Sequence, residues 1–245
     1  MPDYGLRARN GMNEIQVDST FSNFSLKAKG VAVTNANWFH GNFRTVNVFV
    51  PFGTGVVAYR GDGPCCLYGL SPAPGGMYIN FIAYVSRGAG MGDVTINWYL
   101  FDAPQSNLIP AGQNYGLRVK DAAGVVTFDG RIDYMRLHAV RSGSALDIPS
   151  TSSGLAPTYN EAVYPGIVPA IIEANTTNSQ EEVAIGVGPG VQFMQFRIWQ
   201  MTRQSGGLIG LTQTVEDYGP NTMPSNWPSL RRSRFDMTVI DVSGL

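Results

Sequence analysis

The tetrapeptide Tyr-Gly-Leu-Arg occurs twice, at Tyr4–Arg7 and at Tyr115–Arg118. The two copies align without a gap from Tyr4 to Leu26 and from Tyr115 to Leu137. Arg9 aligns with Lys120, Asn10 with Asp121, Ile15 with Val126, Val17 with Phe128, Asp18 with Asp129, Phe21 with Ile132 and Leu26 with Leu137. Each copy reads as a hairpin: a short strand, a polar turn (Asn10-Gly11-Met12-Asn13; Asp121-Ala122-Ala123-Gly124), then a strand ending at Asp18 or Asp129. Turn residues between two apolar runs are a strong short-range hairpin signal, because they accept backbone angles that strand residues avoid. A period of about 110 residues is too long for a solenoid and suits two related domains or half-domains.

Composition bounds what surrounds the repeat. Of 245 residues, 44% are hydrophobic and 14% charged, with 29 Gly and 15 Pro. The chain is long enough to bury a sizeable core. Its charge content is well below the roughly one quarter usual in soluble domains, so Ser, Thr, Asn, Gln and Gly must supply much of the polar surface. A net charge of −1 steers the molecule toward neither nucleic acid nor an anionic membrane. No charged segment followed by an apolar one opens the sequence, and no apolar run approaches the ~20 residues of a membrane helix, so a cytoplasmic site of synthesis without membrane insertion is expected. The two cysteines, Cys65 and Cys66, are adjacent, and a bond between neighbours is strained, so reduced thiols are expected.

The pattern along the chain is strand after strand. Phe24, Leu26 and Ala28 alternate with polar residues, and Thr45–Val50 is rich in β-branched and aromatic side chains. Gly55–Tyr59 reads as a short strand and Arg60–Gly75 as a Gly-, Pro- and Cys-containing connection. Met77–Val85 and Asp93–Phe101 read as an antiparallel hairpin. Ile109–Gly112 leads into the second copy, whose third strand runs from Asp133 to Val140. Ser142–Pro169 reads as irregular, with a short helical candidate at Pro157–Tyr164. Ala170–Ala174, Val183–Val187, Val191–Met201 with Gly207–Thr214 as its hairpin partner, and Phe235–Val242 complete the strands. Tyr218–Pro228 reads as loop. Regularly spaced strands with Gly/Pro turns predict an all-β fold. The restart of the pattern divides it into two β-sandwich-like domains, 1–110 and 111–245, with long irregular loops in the second.

Catalytic and metal signatures are not evident in the sequence. His40 and His138 are far apart and outside any ligand spacing, so no zinc set is expected. There is no Gly-x-Ser-x-Gly elbow. Asp93, Asp102, Asp129, Glu173, Glu216 and Asp217 are the acids available to a glycan hydrolase, which would need two of them about 5–10 Å apart across a groove. Gly88–Gly92 and Gly186–Gly190 lack the following helix and Lys of a phosphate loop, so hairpin turns are expected there. No cofactor, no metal site and no catalytic residue is expected. Arg231, Arg232 and Arg234 form one basic cluster at Arg231–Arg234, too small a footprint for nucleic-acid binding. The residues expected to meet a partner or receptor are those arginines with the aromatics and histidine outside clear strands: Trp38, His40, Tyr159, Tyr164, Tyr218 and Trp227. Such side chains stack on sugars or anchor protein partners.

Tyr4, Gly5, Leu6, Arg7, Asn10, Val17, Asp18 and Ser19 resemble a pattern found near the start of tail proteins of tailed bacteriophages. The second copy departs from it at Gly130, where the pattern has Ser, and the first lacks the turn glycine at Asn13. The resemblance covers the two copies only. It implies a non-enzymatic virion component of the tail tip, baseplate or fibre, made in the bacterial host cytoplasm. The implied partners are other tail proteins, further copies of the chain (a trimer by analogy with fibres and spikes), and a host surface glycan or protein receptor. A carbohydrate-binding module is the alternative, and a glycan depolymerase a lesser one.

Overall fold

In the computed structural model the described residues are 7–9, 15–18, 23–37, 43–84, 93–103, 116–144, 150–151, 160–175, 178–184, 193–205, 208–221 and 234–245. Strands account for their regular structure, and no helix occurs among them. In chain order they are β1 (Arg7–Arg9), β2 (Ile15–Asp18), β3 (Ser25–Val33), β4 (Ala36–Asn37), β5 (Phe43–Val50), β6 (Val56–Gly61), β7 (Cys65–Ala73), β8 (Gly76–Tyr84) and β9 (Thr95–Asp102). Beyond residue 110 follow β10 (Arg118–Lys120), β11 (Val126–Asp129), β12 (Arg136–Ser144), β13 (Ser150–Thr151), β14 (Asn160–Val163), β15 (Pro169–Asn175), β16 (Asn178–Ala184), β17 (Phe193–Ser205), β18 (Leu208–Asn221) and β19 (Arg234–Asp241). The expected all-β class is what the chain adopts.

Two large sheets face each other. One has six strands in the order β12-β19-β15-β6-β9-β3; the other has nine, along β13-β18-β17-β7-β8-β5-β4 with β14 on β18 and β16 on β17. Alternation decides which side chains lie between them. Val46, Val48 and Val50 of β5 and Met77, Ile79, Phe81 and Ala83 of β8 point at Val57, Tyr59, Ile96, Trp98, Leu100, Ile171 and Val239 of the six-stranded sheet. Phe81 is fully buried, and burying one such side chain contributes about 2–3 kcal/mol. A second cluster occupies the other face of the six-stranded sheet, around Ala58, Tyr99, Phe101, Ala170 and Ile240. The start of β3 meets the segment that leads into β12, the opposite edge strand, at one corner. Leu26 N donates to Asp133 O (2.8 Å) and Met135 N to Phe24 O (2.9 Å), where Ser25 bridges Tyr134.

Both sheets cross the expected boundary at residue 110. β6 pairs β15 through Tyr59 and Ile171, and β7 pairs β17 through Cys65 and Thr202. The main cluster draws Ala32, Tyr59 and Phe81 from one half and Tyr164, Ile171, Ile209 and Val239 from the other. Among the described residues the halves 1–110 and 111–245 therefore share sheets and a core rather than forming separate sandwiches.

The strands follow the repeat. In the six-stranded sheet, Leu26 pairs Phe101, which pairs Val56; correspondingly Leu137 pairs Ile240, which pairs Ala170. Three pairs further along, Gly30–Trp98–Tyr59 corresponds to Arg141–Met237–Glu173. The β3–β9 register shifts between Leu26 and Ala28, and the β12–β19 register shifts between Leu137 and Ala139. The order β3-β9-β6 thus meets its counterpart β12-β19-β15 through the antiparallel β6–β15 pair, which is the arrangement of a pseudo-twofold axis normal to the sheet.

Three expectations are corrected by the pairing. Met77–Val85 and Asp93–Phe101 do not form a hairpin: β8 lies between β5 and β7, whereas β9 joins β3 and β6 in the other sheet. Both segments carry apolar residues on both faces, so either neighbour would bury them. Arg60–Gly75 is not a connection, since Cys65–Ala73 is a strand. Its buried thiols supply apolar surface, and a bulge between Leu67 and Gly69 absorbs the irregular residues. Asn160–Val163, inside the helical candidate, is a strand paired with β18.

The β7–β8 turn is Pro74-Gly75, flanked by the pair Ala73 and Gly76. Gly75 has φ +78°, suited to the second central position of a type II turn, with Pro at the first. A Cβ on Gly76 would lie 2.0 Å from Val50 O, a backbone atom that cannot step aside. Gly76→Ala is expected to cost about 2–3 kcal/mol through displacement of the hairpin. Chemical denaturation checks this; a loss below 0.5 kcal/mol, roughly the scatter of neutral surface changes, would contradict the packing.

Candidate functional site

The two copies of the motif fold as matching two-stranded hairpins. Arg7 pairs Asp18, Ala8 pairs Val17 and Arg9 pairs Ile15; Arg118 pairs Asp129, Val119 pairs Phe128 and Lys120 pairs Val126. Each register shifts at the same place, between Ala8 and Arg9 and between Val119 and Lys120. The turn of the second copy is built by Asp121. Its Oδ1 accepts from the amides of Ala123 (2.9 Å) and Val125 (2.8 Å), while Gly124 adopts φ +82°. Asp side chains organise turns by accepting such bonds, and Gly takes the left-handed position without a Cβ penalty.

Arg118 and Asp129 explain the charged ends of the motif. Asp129 is buried and accepts from Arg118 Nε at 2.8 Å, and from Arg131 Nε at 2.7 Å and NH2 at 2.5 Å. The Arg131 guanidinium, and then Arg118, holds the carboxyl well below the usual carboxylate range against the cost of burial. Gly116 lets the Arg131 stem pass, because a Cβ there would sit 2.6 Å from Arg131 Cγ. Tyr134 stacks on Phe128 with ring centroids 4.9 Å apart. The hairpins adjoin one another: β2 lies beside β11, and Asn23 N donates to Thr127 O at 3.4 Å.

Removing the central carboxylate should loosen this corner. Asp129→Ala is expected to cost about 2 kcal/mol, the range for hydrogen bonds to charged groups. The loss should appear as faster amide exchange at Arg118–Lys120, and unchanged exchange there would refute the role. A carboxyl whose folded pKa is depressed supports the fold above its unfolded value of about 3.9 and loses that support as pH falls below it. The same corner should therefore loosen first in acid.

The expected partner contacts fare unevenly. Trp38, His40, Tyr159, Trp227, Arg231 and Arg232 lie outside the described residues, as do both glycine-rich segments, 88–92 and 186–190. Tyr164 is not an exposed contact: it is buried in the main cluster, edge-on to the exposed His138 of β12 with centroids 5.4 Å apart. Neighbouring Pro165 and Gly166 suggest an open loop, but the inter-sheet core takes the ring. Tyr218 lies in β18, which extends beyond its expected end into the segment read as loop. Arg234 opens β19, paired with Ser144.

Four of the six candidate acids are engaged by other groups, and nothing is described of the side chains of Glu216 and Asp217. Lys27 holds Asp102 at 2.7 Å, Arg44 pairs with Asp93, and Arg118 and Arg131 hold Asp129. Glu173 lies against the core, where Tyr59 OH donates to Oε1 and Leu67 N donates to Oε2 at 3.3 Å. Burial pushes its carboxyl up to about 8, against the opposing influence of those two donors. Burial, followed by the charge of Glu173, likewise raises Tyr59, Cys65 and Cys66. Both cysteines are reduced and buried. No three His, Cys, Asp or Glu side chains converge as a metal set among the described residues.

Among the described residues, an open aromatic patch lies on strands. On the outer face of the nine-stranded sheet, Phe49 opposes Tyr78, and Asn47 opposes Asn80 on the same side. Phe49 is 46% and Tyr78 40% exposed, with rings edge-to-face 5.5 Å apart. Asn80 Nδ2 donates to Ser71 Oγ at 3.1 Å on the adjoining strand, and Tyr68 stands exposed in the β7 bulge. This patch was legible as the polar and aromatic half of two alternating strands, Asn47 and Phe49 in one and Tyr78 and Asn80 in the other.

No family model, curated protein or solved structure matches this chain.

Proposed function

We propose that the chain is a non-enzymatic structural component of a bacteriophage tail. The observation that carries this reading is the duplicated Tyr-Gly-Leu-Arg hairpin, whose resemblance to phage tail proteins extends over residues that have a defined structural task. Arg118 and Asp129 close the hairpin, Asp121 and Gly124 turn it, and Gly116 admits the neighbouring Arg131. These contacts make the motif a folding element, as a structural protein requires. Gold-labelled antibody against the chain, applied to intact and disrupted virions from the source culture, should mark the tail. Absence of label from both preparations would sink the assignment.

The neutral patch around Phe49 and Tyr78 supports host attachment through a surface glycan. Two braced rings offer stacking surface, while Asn47, Asn80 and Ser71 offer amide and hydroxyl groups to sugar hydroxyls. Weak sites of this kind act through several copies on one particle. Retardation in gels containing neutral polysaccharide should fall about tenfold in apparent affinity for Phe49→Ala and Tyr78→Ala. Equal retardation of wild type and variants would remove the patch from the attachment role.

A further inference from the structure

We propose that the seam joining the two halves is a dimer-type interface between two copies of one β-unit, made specific for unlike halves by Tyr59 and Glu173. The strand correspondence carries the first part. The rows Leu26–Phe101–Val56 and Leu137–Ile240–Ala170 repeat with the same register shift, and the two units meet through the antiparallel pair β6–β15. In the facing sheet the hairpins β7–β8 and β17–β18 also meet through an antiparallel pair, β7–β17, with β5 flanking β8 as β14 flanks β18. One pseudo-twofold axis normal to both sheets relates all these strands.

Residues beside a twofold axis face their own counterparts. Tyr59 and Glu173 are such counterparts, occupying the same position in the rows Gly30–Trp98–Tyr59 and Arg141–Met237–Glu173. Their strands pair at Tyr59 and Ile171, which leaves the two side chains diagonal neighbours on the inner face. There the Tyr59 hydroxyl donates to the Glu173 carboxyl oxygen Oε1. Two like halves could not reproduce this. A second Glu would set two carboxyl groups together against the core, where both cannot ionise, and would remove the ring that packs beside Phe81. A second Tyr would put two large rings where the structure holds one beside Phe81 and would leave the Leu67 amide without its carboxyl acceptor. The unlike pair therefore favours closure of each half on its own partner and disfavours exchange between like halves of neighbouring chains.

The test is an exchange in the full-length chain. Tyr59→Glu and Glu173→Tyr should each lower the thermal midpoint at pH 7 by about 10 °C, the shift expected from an uncompensated buried group in a chain of this size. The double exchange restores donor, acceptor and combined volume, and should recover more than half of that loss. If those variants fail to fold, the milder Tyr59→Phe, Glu173→Leu and combined set decides: the loss in the combined variant should be clearly smaller than the two single losses added together. A double exchange no better than the worse single variant, or additive losses in the milder set, would overturn the proposal.

Discussion

Raising the pH from about 4.5 to about 8 is expected to remove roughly 4 kcal/mol of folding stability through Glu173 alone. In the unfolded chain this carboxyl titrates near its ordinary value, whereas in the fold burial lifts it to about 8. Between those values the folded state keeps a proton that the unfolded state has lost. The slope of unfolding free energy with pH is then negative, at about 1.4 kcal/mol per pH unit. Stability from this group is complete below the unfolded value, declines through the window and levels off above the folded value. Glu173→Gln keeps an acceptor for the Leu67 amide and a partner for the Tyr59 hydroxyl but cannot ionise. Denaturant unfolding of both proteins at pH 5, 6, 7 and 8 should give converging stabilities at the acid end and a growing advantage for the variant toward pH 8. Parallel curves would show that Glu173 is ionised throughout. Asp129 acts with the opposite sign below pH 4, so the wild-type optimum should fall near pH 4–5 rather than at neutrality.

Phe81→Ala is expected to cost about 4 kcal/mol, from lost apolar burial and from the cavity left behind. Phe81 is fully buried between the sheets and meets Tyr59 edge-to-face with centroids 5.5 Å apart. The cavity would adjoin the Tyr59–Glu173 pair, and water entering it would solvate the carboxylate. The variant should therefore be less stable at every pH and also less dependent on pH between 5 and 8, because hydration lowers the raised carboxyl. Phe81→Leu keeps most of the volume and should cost less while retaining the wild-type pH slope. A Phe81→Ala protein with the full wild-type slope would separate Phe81 from the Glu173 environment.

What could be read in advance follows the range of the interactions involved. The hairpins were legible because Asp121 to Val125 closes within a few residues and Arg118 meets Asp129 across one turn. Alternation in Thr45–Val50 and in Val191–Met201 marked strands for the same reason: each states its buried face locally. Cys65–Ala73 was missed because Gly69 and Pro72 are poor strand residues, and the ladder with β8 outweighs that preference. Burial of Tyr164 depends on packing between the sheets. Glu173 in Ala170–Ala174 looks like any outward polar residue of a short strand, yet its partner Tyr59 is 114 positions away.

The sequence by itself determined the all-β class, the duplicated unit and the hairpin that opens each copy. Turns and adjacent strands close short loops, so their residues carry the instruction at small entropic cost. Tertiary structure alone decided that the copies share two sheets and the core between them, that β8 and β9 part company, and that a carboxyl group lies against that core. These outcomes rest on which apolar faces bury one another across the whole chain, and an alternating strand presents the same faces to any neighbour able to cover them.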